Sequence, residues 1–314
     1  MILTGDCRQL IPTLKPESID CIITSPPYFN LRDYGMLGQI GAEKTITDYI
    51  AALTDVFSKA RSILKPNGTL WINIGDSYAG SGKGKGSFDP KYADGRCKDT
   101  MIYTNWSETN IAPRNLMGIP WKLAFSLQDN GWILRQDLIW SKPNAMPESV
   151  ANRCTKSHEY IFLLSKEQTY YFDIDSIKET ARYDVKDSPK INKNRRYGGK
   201  KYTQTPDKFY RTKSGKAYSY TGTRHPRSVW NIPTQPFKGE HFATFPEELV
   251  RRCILAGCPK GGTVLDPFCG SGTAGKVAYD LGREFIGIEL NPQYVAIAQK
   301  RIGTTKQISL GGLV

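Results

Sequence analysis

Thr263-Val264-Leu265-Asp266-Pro267-Phe268-Cys269-Gly270-Ser271-Gly272-Thr273 carries the decisive pattern of this 314-residue chain. The apolar run at 263–265 predicts a buried strand, a loop of small residues follows, and residues 271–281 predict a helix. Phe285-Ile286-Gly287-Ile288-Glu289 predicts the next strand and residues 292–301 a last helix. The same alternation recurs toward the N-terminus. Pro246-Glu247-Glu248 opens a helix with proline early and acids in its first turn; Leu249, Cys253, Ile254 and Ala256 mark its apolar face and Gly257 its stop. Strands are predicted at 19–24, 69–74, 132–140 and 159–164. Helices are predicted at 115–129 and at 48–64, the latter capped by Thr47 or Asp48 and stopped by Lys65-Pro66-Asn67-Gly68. Strands separated by helices over this length predict an α/β fold with a mostly parallel sheet covered on both faces.

The glycine loop lets a ligand approach the backbone closely, and the helix that follows presents free N–H groups. Glu289 ends the next strand nineteen residues after Gly270, about where an acid accepts hydrogen bonds from ribose hydroxyls. Three ligands compete. Gly270-x-Gly272-x-x-Gly275 matches a dinucleotide fingerprint. Gly270 to Lys276 nearly matches a phosphate-binding P-loop, but Val277 stands where the magnesium-binding hydroxyl belongs. Asp266 would repel the phosphates of either ligand and attract an ammonium group. S-adenosylmethionine has that ammonium, a ribose and no phosphate, and Phe268 offers it an apolar wall.

Charge is distributed unevenly. The chain carries a formal +13, and residues 178–227, with fifteen Lys/Arg against four Asp/Glu, hold +11 of it. Six Tyr, Phe209 and several glycines are interleaved there. Positive charge among aromatics suits phosphate contact and base stacking, with Arg195, Arg196, Lys200, Lys201, Tyr202, Arg211, Lys213 and Arg224 as candidates. The expected organisation is a catalytic part at 1–177 with a Gly-, Ser- and Lys-rich mobile loop at 78–114, a basic Tyr-rich recognition segment at 178–232, a cofactor part at 233–305 and a tail at 306–314. No apolar run approaches the ~20 residues of a membrane span. The first residues, with Asp6 and Arg8, lack an export-signal core, which predicts a cytoplasmic chain. Seven Cys without a CxxC pair and three scattered His predict no metal site.

Thr24-Ser25-Pro26-Pro27-Tyr28-Phe29 closes the predicted strand 19–24. Two prolines end the ladder in a rigid turn, because each lacks an N–H and has a fixed φ. Such a turn holds an aromatic ring, a hydroxyl and carbonyls in place, as a pocket for a flat polar ring requires.

The two motifs together resemble the amino-group DNA methyltransferases, which methylate the N4 of cytosine or the N6 of adenine. Ser25-Pro26-Pro27-Tyr28 is similar to their catalytic tetrapeptide and residues 266–273 to their cofactor loop. The order, with the catalytic motif first, the basic segment central and the cofactor loop last, resembles the permuted beta class. Thr4-Gly5-Asp6, Trp140-x-Lys142-Pro143-Asn144, His158-Glu159-Tyr160 and His241-Phe242-Ala243-Thr244-Phe245-Pro246 extend the resemblance over most of the chain.

The resemblance implies a Rossmann-like S-adenosylmethionine-dependent methyltransferase fold with a seven-stranded sheet and a target-recognition insert. It implies Ser25, Pro26, Pro27 and Tyr28 as catalytic residues. It implies Asp6, Thr244, Phe245, Asp266, Phe268, Gly270, Ser271, Gly272, Thr273 and Glu289 as cofactor-binding, with Asp6 and Phe268 near the adenine, Glu289 at the ribose and 244–245 beside the methionine tail. The implied partners are double-stranded DNA and a cognate restriction endonuclease, with the chain acting as monomer or homodimer. The target base must be flipped out of the duplex, and Tyr28 would stack on it, with Phe29 either supporting that ring or filling the core. The Ser25 hydroxyl and Pro26 carbonyl would accept the amine's N–H groups. Ser at position 25 favours N4 of cytosine within the family, with adenine N6 as the alternative. A DNA-binding protein without activity, and an RNA or protein methyltransferase, are the competing classes.

Overall fold

The computed structural model describes residues 1–31, 34–79, 111–180, 196–197, 200–201, 223–235 and 245–311. The chain divides into two compact units, Met1–Asp173 with Ser228–Val314, and Ile174–Arg227. Among the described residues of the larger unit, eight strands form one sheet: β1 (Ile2–Thr4), β2 (Ile19–Thr24), β3 (Leu64–Ile74), β4 (Ile133–Ser141), β5 (His158–Ser165), β6 (Val229–Asn231), β7 (Thr263–Asp266) and β8 (Glu284–Glu289). Their order is β1-β8-β7-β2-β3-β5-β4-β6. Every pairing is parallel except the two that β5 makes with β3 and β4. The sheet therefore has one strand more than the seven expected. The extra strand is β6, which extends β4 in parallel, so residues 228–232 belong to this unit and not to the recognition segment.

Among the described residues six α-helices accompany the sheet: α1 (Cys7–Leu10), α2 (Ile46–Ile63), α3 (Ile119–Asp129), α4 (Glu247–Gly257), α5 (Thr273–Asp280) and α6 (Pro292–Gly311). β2 is buried along all six residues, as a central strand covered on both faces must be. α2 buries Tyr49, Leu53, Val56, Phe57 and Ala60 on one face. Its cap is Thr45, not Thr47 or Asp48: the Thr45 Oγ1 accepts the Asp48 N–H at 3.0 Å. Lys65-Pro66-Asn67-Gly68 does not form a separate turn, because β3 begins at Leu64, directly after α2. Gly257 ends α4 for a packing reason. A Cβ there would lie 2.3 Å from Trp71 Nε1, and its carbonyl accepts the Thr69 hydroxyl at 2.9 Å. α3 starts at Ile119 rather than 115, and α6 runs to Gly311, past the expected end at 301 and through most of the expected tail.

The direction of the strands decides what meets what. β1, β2, β3, β4, β7 and β8 all bring their carboxyl ends to one edge of the sheet, where open α/β sheets bind ligands. β5 runs the other way, so its first residues, His158 and Glu159, arrive at that same edge.

In the smaller unit, Glu179–Thr180 pairs antiparallel with Thr223–Arg224, and Arg196–Tyr197 with Lys200–Lys201. Among the DNA-contact candidates, Arg195, Tyr202, Arg211 and Lys213 lie outside the described residues. Arg196, Lys200 and Lys201 fall on the short hairpin. Arg224 donates from Nε and Nη2 to Glu179 Oε2 at 3.3 and 3.2 Å, so its charge is already matched within the unit. Most of the loop expected at 78–114 also lies outside the described residues. Its described ends are joined, Ala79 N–H donating to the Asn115 carbonyl at 2.8 Å.

Candidate active site

A cavity of about 300 Å³ lies at the carboxyl edge of the sheet. Ser25, Pro26, Pro27 and Tyr28 line it together with Asp6, Phe245, Phe268, Gly270, Ser271, Thr273 and Glu289, so it joins motifs about 240 residues apart in sequence. β2 and β7 are neighbours in the sheet, which puts the ends of the two motifs side by side. The buried Thr24 hydroxyl donates to Asp266 Oδ1 at 2.6 Å and ties them together.

The glycine-loop side is built mostly from its own backbone. Glu289 accepts the Gly270 N–H at 2.7 Å and the Asn291 N–H at 2.9 Å, one on each carboxylate oxygen. Each oxygen keeps lone-pair capacity for a hydroxyl. Burial raises the Glu289 carboxyl above its ordinary range, against these backbone hydrogen bonds. A phosphate-binding loop turns its N–H groups to the anion, whereas here the Gly270 N–H is spent on a carboxylate. That disfavours both the dinucleotide and the P-loop.

Asp266 and Gly272 do not line the cavity. Asp266 is fully buried directly before the cavity-lining Pro267 and Phe268. Burial pushes its carboxyl up to about 7, against hydrogen bonds from Thr24 and Phe268, and its Oδ2 has no partner among the described residues. When ionised, this carboxylate would favour a cation in the cavity above it through charge alone. Gly272 is a packing residue: at φ +79° it caps α5, and a Cβ there would lie 2.9 Å from that of Ala298 in α6. Asp6 has two roles. It caps α1 through the Arg8 N–H at 2.8 Å and also lines the cavity. Burial would raise its carboxyl, but the hydrogen bonds and charge of Arg8 outweigh that and hold it below the ordinary range. The hydroxyls of Ser271 and Thr273 accept Arg301 Nη1 at 3.2 and 3.0 Å, and the same guanidinium pairs with Glu247 at 2.7 Å. Thr244 lies outside the described residues.

The proline-turn side is held from elsewhere in the fold. The Tyr49 hydroxyl of α2 donates to the Pro27 carbonyl at 2.7 Å. The Tyr28 hydroxyl donates to Glu159 Oε2 at 2.7 Å, and the Asn73 amide donates to the same oxygen at 3.0 Å. Lys142 pairs with Glu159 Oε1, and its ammonium stands 4.3 Å from the centre of the Trp140 ring. Burial, then the Glu159 charge, pushes the Tyr28 hydroxyl well above its ordinary range. Gly75 makes room for that ring: a Cβ there would lie 2.9 Å from Tyr28 Cε2. Phe29 belongs to the core, buried 5.4 Å from the Tyr49 ring. Asn73, Trp140, Lys142 and Glu159 line the cavity, yet were not singled out from sequence as site residues. The resemblance at 140–144 and 158–160 was the only signal for Trp140, Lys142 and Glu159, and Asn73 had none beyond its place in a predicted strand. No group of three or more His, Cys, Asp or Glu suited to a metal occurs among the described residues.

Comparison with known proteins agrees with this geometry. A family model described as DNA methylase, of the N6/N4 methyltransferase type, matches residues 19–300. Type II methyltransferase M.SmaI of Serratia marcescens is 47% identical over 301 residues, covering 96% of this chain and 90% of that protein. Type II methyltransferase M.Cfr9I of Citrobacter freundii is 42% identical, covering 96% and 87%. Among solved structures, the PvuII DNA methyltransferase (cytosine-N4-specific) superposes with a TM-score of 0.63 at 19% identity, covering 96% of this chain and 85% of that one, and so shares the fold. With a matched family model across most of its length and relatives this similar end to end, the chain belongs to the N6/N4 DNA methylase family.

Proposed function

We propose that this chain is a site-specific DNA methyltransferase that transfers a methyl group from S-adenosylmethionine to the exocyclic N4 amine of cytosine in double-stranded DNA. The observation that carries the proposal is the single cavity lined by both Ser25–Tyr28 and the Gly270–Glu289 apparatus. Glu289 would hold the ribose and Asp6 and Phe268 the adenine, while Asp266, beneath the cavity wall, would favour the cationic methionine end through its charge and not by contact. Phe245 and the adjoining Thr244 would flank the methionine tail. Bound there, the cofactor supplies an electrophilic methyl on a sulfonium.

The protein's own work lies at the amine. A cytosine amine is a weak nucleophile because its lone pair is delocalised into the ring. Acceptors on its N–H groups draw it toward tetrahedral geometry and localise the pair. The Ser25 hydroxyl and the Pro26 carbonyl are those acceptors, and Tyr28 carries the ring. The flipped base leaves the duplex at a cost of a few kcal/mol. Positioning and preorganised polar groups supply most of the rate. Attack goes through the amine, so no cysteine nucleophile is used. Two described cysteines, Cys7 and Cys269, line the cavity; both are buried, and that burial pushes both thiols above the ordinary range, Cys7 to about 12.

The basic unit at Ile174–Arg227 would bind the DNA backbone. Its charge predicts a steep, linear fall of log affinity with log salt, and a flat response would remove that role. The proposal as a whole is tested by mass spectrometry of nucleosides from DNA incubated with the protein and S-adenosylmethionine. N4-methylcytosine is expected. N6-methyladenine would overturn the assignment of the base, and no methylated nucleoside would overturn the activity.

A further inference from the structure

Glu159 is the one carboxylate that reaches the cavity from β5. Three donors converge on it: the Tyr28 hydroxyl at 2.7 Å, the Asn73 Nδ2 at 3.0 Å and the Lys142 ammonium. The second N–H of Asn73 goes to the Tyr160 carbonyl at 3.2 Å. Both partners of Asn73 Nδ2 are pure acceptors, which fixes which end of the amide is nitrogen. Asn73 is a cavity-lining residue with both N–H groups spent, so what it offers the cavity is Oδ1. Tyr28 likewise spends its proton on Glu159 and presents no donor of its own.

We infer that Glu159 is a positioning residue that sets the hydrogen-bond polarity of the base pocket. By consuming the protons of Tyr28 and Asn73, it leaves the Asn73 Oδ1 and Pro26 carbonyl as acceptors, and it leaves the Tyr28 oxygen to take the Ser25 proton, so that the Ser25 hydroxyl also faces the base as an acceptor. Such a wall accepts from an exocyclic amine and repels a keto oxygen at the same ring position. The pocket therefore selects an amino base over its keto counterpart before any methyl is transferred. Lys142 keeps the clustered acceptors from repelling one another by balancing the Glu159 charge, and the Trp140 ring face holds that ammonium in place. The inference rests on the cavity being the amine site, as proposed above.

The test uses the whole protein and duplexes that carry either cytosine or uracil at the target position. Each target base is set opposite an abasic site, so that the cost of unpairing is equal. The wild type is expected to bind the cytosine duplex at least about tenfold more tightly, the worth of one hydrogen-bond mismatch. Glu159→Gln puts an N–H donor where an acceptor stood and frees Asn73 to turn. It is expected to erase most of that preference and to lower turnover about a hundredfold, with cofactor affinity unchanged. Adding Asn73→Asp to Glu159→Gln restores an acceptor at position 73 and is expected to return part of the preference. A Glu159→Gln protein that keeps full discrimination while binding cofactor normally would overturn the inference. So would a wild type that methylates cytosine yet binds cytosine and uracil duplexes equally. If the wild type methylates no cytosine, it is the proposed function that fails. Thermal unfolding of each variant identifies loss through misfolding, and in that case Asn73→Asp alone, expected to retain the cytosine preference, decides.

Discussion

The two sides of the cavity are constructed in opposite ways. The glycine-loop side is held mostly by its own strand ends, where Asp266 accepts the Phe268 N–H and Glu289 those of Gly270 and Asn291, with Thr24 and Arg301 as its outside braces. The proline-turn side is short in sequence but braced from outside. Tyr49 on α2, Asn73 on β3, Lys142 after β4 and Glu159 on β5 fix where its carbonyl, hydroxyl and ring point. A site for a constant ligand can be written as one motif. A site that must shape an acceptor array around a foreign base needs donors and charges from several elements, each spent in a set direction.

That contrast predicts graded, separable failures. Ser25→Ala should have the largest effect, lowering turnover about a hundredfold or more while cofactor affinity holds; near-normal turnover would show that the proline-turn side works without its hydroxyl. Glu289→Ala should weaken cofactor binding about ten- to a hundredfold by calorimetry, because it removes the ribose acceptor and frees the Gly270 N–H. An unchanged dissociation constant would detach Glu289 from the cofactor.

Asp266 gives a pH signature. Buried, its carboxyl titrates at about 7 rather than at the ordinary 3.8. The ionised form favours a cationic ligand, so cofactor affinity should rise as pH climbs through about 7. Stability of the free protein runs the other way. The folded state binds the proton more tightly than the unfolded chain, so this contribution is complete below 3.8 and is lost as pH rises toward 7. Asp266→Asn should flatten both profiles, and a pH-independent wild-type affinity would break the assignment. The smallest effect is expected from Tyr49→Phe, which removes one hydrogen bond to the Pro27 carbonyl and should cost about 1 kcal/mol of stability with a modest loss of turnover. A loss as large as that of Ser25→Ala would mean that the turn depends on this one brace.

Local pattern carried the elements well where apolar periodicity and punctuation agreed. β2, β7 and β8 lie at their expected places, and α4 begins at Glu247 with its acids in the first turn. Boundaries shifted where tertiary contacts override local signals. Pro66-Asn67-Gly68 reads as a stop, but Gly68 sits tightly under Leu64 and the Asp20 carbonyl as β3 enters the sheet. β6 was missed because three residues carry no usable period; only pairing with β4 makes Val229–Asn231 a strand. Gly270 and Gly272 look alike in the loop, yet one lines the cavity and the other packs against α6.

By itself the sequence determined the α/β class, the family and the two motifs that mark the chemistry, because these are written in contiguous residues whose local physics is short-ranged. The tertiary structure alone decided that the motifs share a cavity. It placed Asp266 beneath the cavity and not on its wall, and it brought Glu159 to the proline-turn side. The reason is strand direction: β2 and β7 run side by side in parallel and carry their loops to one edge, and β5, reversed, delivers its first residues there as well.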